Sequence, residues 1–177
     1  MKLNAKELRD LDEAGLASNQ PQIKRNPLSL ILENIYDTYN IGGIFRLADG
    51  LAVEKVYLCG ETEIPPNHRI QKASIGTYKV VPWEYKETAA EAISDLKANG
   101  VQVVAVEQDE KSTDYRKTEY KTSVALLVGN ETFGVTKETI ALCDNTVEIP
   151  MWGINKSLNV IVSAAIVSYH VVSQIKN

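Results

Sequence analysis

The sequence predicts one α/β domain, a mostly parallel sheet flanked by helices. Three observations carry this expectation. Short, continuous apolar runs recur along the chain, LSLIL at 28–32 and VALLV at 124–128 among them, and strands covered on both faces read this way. Segments with helical spacing and capping residues separate those runs. Finally, 177 residues with 44% apolar content suffice for one full core, and no repeat, low-complexity tract or linker divides them.

The elements follow in order. Residues 1–25 form a short N-terminal helical extension, and the core domain runs over 26–177. Asn4 with Glu7 three positions later is a capping-box pattern, and Leu8, Leu11 and Ala14-Gly15 continue it into a short helix that ends near the glycine. Pro21 and Pro27 mark the entry to the core, and 28–32 is the first strand. Asn40 is suited to cap a helix on which Ile41, Ile44, Phe45, Ala48 and Ala52 share one face. Residues 56–59 make a second strand, and 78–83 read as a third that ends at Pro82-Trp83. A helix over 88–98 stops at Asn99-Gly100. Buried strands follow at 101–106 and 124–128. Thr136 caps a short helix through 142, and 146–150 is the last strand. The final helix, from Ser157 to the end, is apolar on nearly every side. Such a helix needs a second covering surface, and a two-fold subunit interface is the natural one.

Composition excludes several classes. The net charge of −4 argues against an indiscriminate nucleic-acid binder. The charge is nevertheless uneven: 68–79 reads HRIQKASIGTYK, with Arg69, Lys72 and Lys79 and no acid, which fits a solvated loop or a local binding face. The start turns charged at once, so a secretory signal is not expected. The most apolar stretch, 158–172, is interrupted by Asn159, Ser163, Ser168 and His170, and no membrane span is expected. Cys59 and Cys143 lie far apart without metal-ligand spacing, so the expected setting is reduced and cytoplasmic, with no metal site. His68 and His170 stand beside no plausible nucleophile and acid, and no G-x-S-x-G elbow occurs.

Ligands of open parallel sheets bind beyond the carboxyl ends of the strands, and three polar segments are expected there. In the first, Asn40 precedes Gly42-Gly43 and Arg46. Paired glycines near a helix start cost about 1 kcal/mol each relative to alanine, and Arg46 stacks one turn above Gly42. This suggests a bare floor approached by another molecule's backbone, although a surface arginine on a glycine-containing helix fits as well. The second segment, GNETFGVTK at 129–137, has the spacing of a phosphate loop, but Val135 stands where the lysine must be. It is a tight turn bearing one acid, Glu131. The third, IPMWGINKSLNV at 149–160, leads from a strand into the final helix with Ser157 as the expected N-cap.

Together these segments resemble the motifs of the SpoU/TrmH branch of the SPOUT RNA methyltransferases. The first is similar to N-x-x-N-x-G-x-x-x-R through Asn34, Asn40, Gly42 and Arg46. The second resembles L-V-x-G-N-E-x-x-G as LLVGNETFG, and the third resembles I-P-M-x-G-x-x-x-S-L-N-V as IPMWGINKSLNV. KASIGT at 72–77 also looks like the family's K-x-S-x-G stretch. The resemblance begins near Asn26 and reaches the C-terminus. It departs mildly where the family often carries R-T-A-D followed by glycine and this chain has Leu47 and Ala52.

The resemblance implies a C-terminal trefoil knot, a homodimer with active sites near the interface, and methyl transfer from S-adenosylmethionine to a ribose 2′-hydroxyl of tRNA or rRNA. It implies a cofactor pocket of Leu127, Gly129, Ile149, Met151 and Leu158. Arg46 would be the key catalytic residue, with Asn40, Glu131, Ser157 and Asn159 organising the site. Lys24, Arg25, Arg69 and Lys72 are the expected RNA contacts. Two other readings stay open: a catalytically inactive RNA-binding dimer of the same fold, and a nucleotide-dependent enzyme using the Gly129 loop.

Overall fold

Residues 3–10 and 23–175 are described by the structure, a computed structural model. Its sheet contains β1 (Asn26–Glu33), β2 (Val53–Cys59), β3 (Trp83–Lys86), β4 (Gln102–Val106), β5 (Thr113–Asp114), β6 (Val124–Val128) and β7 (Asn145–Glu148). The order is β3-β2-β1-β6-β4-β7-β5, and all the pairs are parallel. Around it lie α1 (Ala5–Asp10), α2 (Thr38–Gly50), α3 (His68–Ser74), α4 (Ala89–Ala98), α5 (Lys137–Ile140) and α6 (Val160–Ile175).

The continuous apolar strands are explained by two cores. In β1, Leu28, Leu30 and Leu32 join α2, α3 and α6 through Phe45, Ile70 and Val167. Ile31, between them, faces the opposite side with Leu127 and Val103, against Ala92, Ile93 and Leu96 of α4. Side chains alternate along a strand, so a strand covered on both faces needs apolar residues at successive positions.

Several local expectations hold at the level of single hydrogen bonds. The Asn4 amide donates to Glu7 Oε2 at 2.7 Å and the Glu7 amide to Asn4 Oδ1 at 3.1 Å, which is the reciprocal capping box. Leu11 and Ala14-Gly15 lie outside the described residues. Thr136 caps α5 as expected, and the helix expected from residue 88 is α4, with Thr88 as its cap. Helix α1 rests on the turn at Gly76 (φ +95°), where a Cβ would run into the Leu8 carbonyl, and Lys79 Nζ donates to the Arg9 carbonyl at 2.9 Å.

Other expectations are corrected. Residues 77–79 form a 3-10 turn, and the strand lies after Pro82, at Trp83–Lys86. The apolar residues Val80 and Val81 therefore serve as a connection, with Val81 buried in the core. Asp37 rather than Asn40 caps α2, accepting from the Tyr39 amide at 2.8 Å. Helix α6 starts at Val160, and its first turn is capped by Asn159, whose Oδ1 accepts from the Ile161 amide at 2.8 Å. Ser157 lies before that cap. The last strand ends at Glu148, before Ile149-Pro150.

The two glycines of α2 are filled by the chain's own packing. A Cβ at Gly42 would collide with Ala73 of α3, and one at Gly43 with Ile161 of α6. The expected bare floor is thus two close helix contacts. Ala52 lies beyond α2, in a turn with φ +48°. An L-residue there costs roughly 1–2 kcal/mol, and glycine would adopt this conformation without that cost. Ala52→Gly is expected to stabilise the fold by about 0.5–1 kcal/mol after the entropy of the more flexible unfolded chain is subtracted. Denaturant titration checks this, and an unchanged or lowered midpoint would refute it.

Candidate functional site

A cleft of about 610 Å³ opens beyond the carboxyl ends of β4, β6 and β7. Its walls are the segments that follow β4 and β6, the exit from β7, and residues 155–159 leading to α6. This is where a parallel sheet presents ligand sites, because the polar groups of the loops emerge there from an apolar sheet.

The loop after β6 folds on Asn130. Its Oδ1 accepts from the Thr132 and Phe133 amides at 2.8 and 2.9 Å, and its Nδ2 donates to the Asn34 carbonyl at 2.8 Å. Gly134 takes a φ of +70°, and a Cβ on Gly129 would strike the Val135 backbone. The second motif's glycines are therefore required by the turn itself. Its asparagine ties that turn to the end of β1.

Asn40 then joins the three motifs. From the first turn of α2, its Nδ2 donates to Glu131 Oε1 at 2.8 Å, and its Oδ1 accepts from Asn159 Nδ2 at 3.0 Å. Because Asp37 caps the helix, the Asn40 amide is free to bridge. Asn40 is 5% exposed, so both ends of its amide need partners, and the second and third motifs supply them.

The other expected site residues are distributed unevenly. Gly129, Ile149, Met151, Leu158, Glu131, Ser157 and Asn159 line the cleft. Leu127 does not. It is fully buried and faces α4, and Val128 is the lining residue of β6. A shift of one position along a strand reverses the face. Ser157 is exposed, with its amide donating to Asn155 Oδ1 at 3.2 Å. Arg46 is exposed and makes no hydrogen bond or ion pair with any described residue. It stands six positions beyond Asn40, roughly 9 Å further along the helix axis, so it is not part of the Asn40 hub.

Glu107 was not anticipated. Directly after β4, its Oε2 accepts from the Val135 amide and its Oε1 from the Gln108 amide, each at 2.9 Å. It lines the cleft and braces the loop from Gly129. Gln108 Nε2 donates to the Lys156 carbonyl at 2.7 Å, strapping the third motif across the opening. An acid immediately following an apolar strand is the signal that would have found this pair.

Among the basic residues, Lys24, Arg69 and Lys72 are exposed. Arg25 is not an open RNA contact. Its Nη1 donates to the Val53 carbonyl and its Nη2 to the Val80 carbonyl, both at 2.9 Å. Burial pulls its guanidinium below the usual value, and the Asp49 carboxylate partly offsets this. Lys79, from the acid-free stretch, is likewise engaged by α1. Among the described residues no cluster of His, Cys, Asp or Glu is arranged to hold a metal, and no helix is long and apolar enough to cross a membrane.

This fold and this three-motif hub define a class, and comparison with known proteins agrees. The SpoU rRNA Methylase family matches residues 27–169, and the chain belongs to that family. It is 30% identical over 165 residues to the tRNA (guanosine(18)-2′-O)-methyltransferase of Escherichia coli K12, covering 92% of this chain and 68% of the relative. The crystal structure of the A. aeolicus TrmH/SpoU tRNA modifying enzyme superimposes with a TM-score of 0.77 at 28% identity, over 86% of this chain and 78% of that one. An AdoMet-bound rRNA methyltransferase from Sinorhizobium meliloti gives 0.77 at 29% identity, over 93% of this chain and 59% of that one.

The role of Arg25 is directly testable. Arg25→Ala leaves two carbonyls of the β2 and β3 region without their donor and is expected to cost about 1–2 kcal/mol. Equal stability of the variant and parent in a urea titration would contradict the structural role.

Proposed function

We propose that this protein transfers a methyl group from S-adenosylmethionine to a ribose 2′-hydroxyl of RNA, with transfer RNA favoured over ribosomal RNA. The observation that carries this reading is the Asn159–Asn40–Glu131 chain, which unites three separate family motifs at the mouth of one cleft. Membership in the SpoU family and the 2′-O-methyltransferase activity named for the Escherichia coli relative support it.

The cleft's residues fit the cofactor. Its volume lies within the range of small-molecule sites, about 300–1,000 Å³. Ile149, Met151 and Leu158 offer apolar surface, while Glu107, Glu131 and the turn at Gly129 offer polar groups. S-adenosylmethionine, when bound, supplies a methyl group on a positively charged sulfur. The chain's own work is to orient the ribose and to help its hydroxyl lose a proton. Arg46 is exposed and uncommitted, and a guanidinium stays protonated in proteins. It therefore holds the RNA phosphate and the hydroxyl, and a phosphate oxygen or water takes the proton. Asn40, Glu131 and Asn159 keep the cleft mouth in register, and Ser157 stands exposed on its rim.

The finer features belong to the same proposal. Residues 26–177 are the methyltransferase domain and 1–25 an N-terminal extension that carries α1. The C-terminal trefoil knot is part of the same reading, supported by membership in the SpoU family. A homodimer is supported by the apolar residues left open on α6, Val162 at 45% and Tyr169 at 58% exposure. Cytoplasmic residence fits two free cysteines, and burial pushes the thiols of Cys59 and Cys143 up to about 12.

Titration calorimetry with S-adenosylmethionine, with ATP as control, followed by methyl incorporation into unmodified tRNA transcripts and rRNA fragments, tests the reading. Micromolar binding of the methyl donor, silence with ATP and incorporation are expected. Donor binding without incorporation into either RNA would favour the inactive RNA-binding dimer. Arg46→Lys keeps the charge and loses the planar fork, so turnover should fall about 10- to 100-fold; near-normal turnover would rule out the fork. In Asn40→Asp a carboxylate would face Glu131 where an amide donor stood. Methyl transfer should fall further than in Asn40→Ala, and the deficit should ease as pH drops toward the carboxylate range, where one of the pair is protonated. A pH-independent deficit would count against this electrostatic account.

A further inference from the structure

A second hollow, of about 560 Å³, lies beside the start of α2. Two tyrosines form part of its rim, Tyr36 at 50% and Tyr39 at 55% exposure, and Glu63, Asn67 and Arg69 stand around it. Neither tyrosine belongs to the hydrophobic core. The Tyr36 side chain is nevertheless anchored, and Tyr39 is fixed through its backbone. The Tyr36 hydroxyl donates to Glu61 Oε2 at 2.6 Å, and the Tyr39 amide donates to the Asp37 cap at 2.8 Å. Tyr39 immediately precedes Asn40, so the hollow adjoins the hub that organises the cleft. On its other side, Arg69 stands near the start of the acid-free stretch and Lys72 follows one turn later. Both side chains are exposed and bond to no described residue.

We propose that this hollow receives an unstacked nucleobase of the substrate RNA on the Tyr36 and Tyr39 rings, with Arg69 on an adjoining phosphate. The proposal rests on the RNA methyltransferase reading above. Proteins that recognise RNA at loops and single strands take up bases already splayed from the stack, and the lost stacking is replaced when a protein ring takes the base face. Aromatic faces accept every base, which suits a step that positions rather than reads. The charges sort the two ends of a nucleotide. Glu61 and Glu63 repel a phosphate and accept only N–H or O–H donors, as a base edge provides, whereas Arg69 and Lys72 continue away from them as a track for the backbone. Asn67 Nδ2 reaches Glu63 Oε2 at 3.5 Å, a long contact that a base edge would readily replace.

The test uses the full chain and measures binding of an unmodified tRNA transcript and of an rRNA fragment, with S-adenosylmethionine affinity and thermal melting followed in parallel. Tyr36→Ala and Tyr39→Ala are each expected to weaken RNA binding about tenfold or more, while Tyr36→Phe and Tyr39→Phe stay within about twofold. Donor affinity and melting should remain those of the parent. Arg69→Gln should lower RNA affinity and reduce the slope of log K against log salt by about one. Alanine variants that bind RNA as the parent does, with methyl transfer intact, would overturn this proposal alone. Phenylalanine variants that fall as far as the alanine ones would assign the effect to the hydroxyls and overturn stacking. A parent chain that takes up neither RNA nor methyl donor would overturn the enzyme reading and this proposal with it.

Discussion

One buried amide sets the arrangement on which the site depends. Asn40 donates to Glu131 and accepts from Asn159, and a side chain with a donor at one end and an acceptor at the other is what such a bridge requires. With so little access to water, an unmatched end would cost about 1–3 kcal/mol. The loop after β6 and the segment before α6 are thereby held to the first turn of α2. Residues separated by about a hundred positions in sequence meet within hydrogen-bond distance.

That bridge is possible only because α2 comes close to its neighbours. Gly42 admits α3 and Gly43 admits Ile161 of α6. The helix cost of two glycines is offset by contacts that place Asn40 over the loop and Asn159 at the start of α6. Beneath this, the sheet supplies rigidity. β1 lies between β2 and β6, in continuous register with both from Ser29 to Leu32, and both faces are packed by helices. The polar loops at its carboxyl ends are thus carried on a frame whose strands have little freedom to shift.

The division of labour among basic residues follows from burial. Arg25 and Lys79 use their donors on backbone carbonyls and belong to the fold. The side chains of Arg46, Arg69 and Lys72 extend into solvent and bond to no described residue. In the linear sequence all five are simply cations near strand or helix ends, and nothing local separates them. The difference lies in which carbonyls are left unpaired nearby, and that is settled by how β2, β3 and α1 pack.

The sequence by itself determined the fold class, the caps at Asn4 and Thr136, and the family through three ordered motifs. These depend on local periodicity, side-chain capping chemistry or linear spacing, each readable within a short window. Tertiary structure decided which residue caps and which one bridges, because Asp37 and Asn40 are both good caps and only packing leaves one of them facing Glu131. It replaced Leu127 by Val128 at the cleft, since the two faces of a strand buried on both sides carry the same apolar signal. It moved the third strand past Pro82, where Trp83–Lys86 finds the edge of β2 while Val80-Val81 serves the core from a turn. It also brought Glu107 and Gln108 against the later motifs, a contact across dozens of residues that no local pattern encodes.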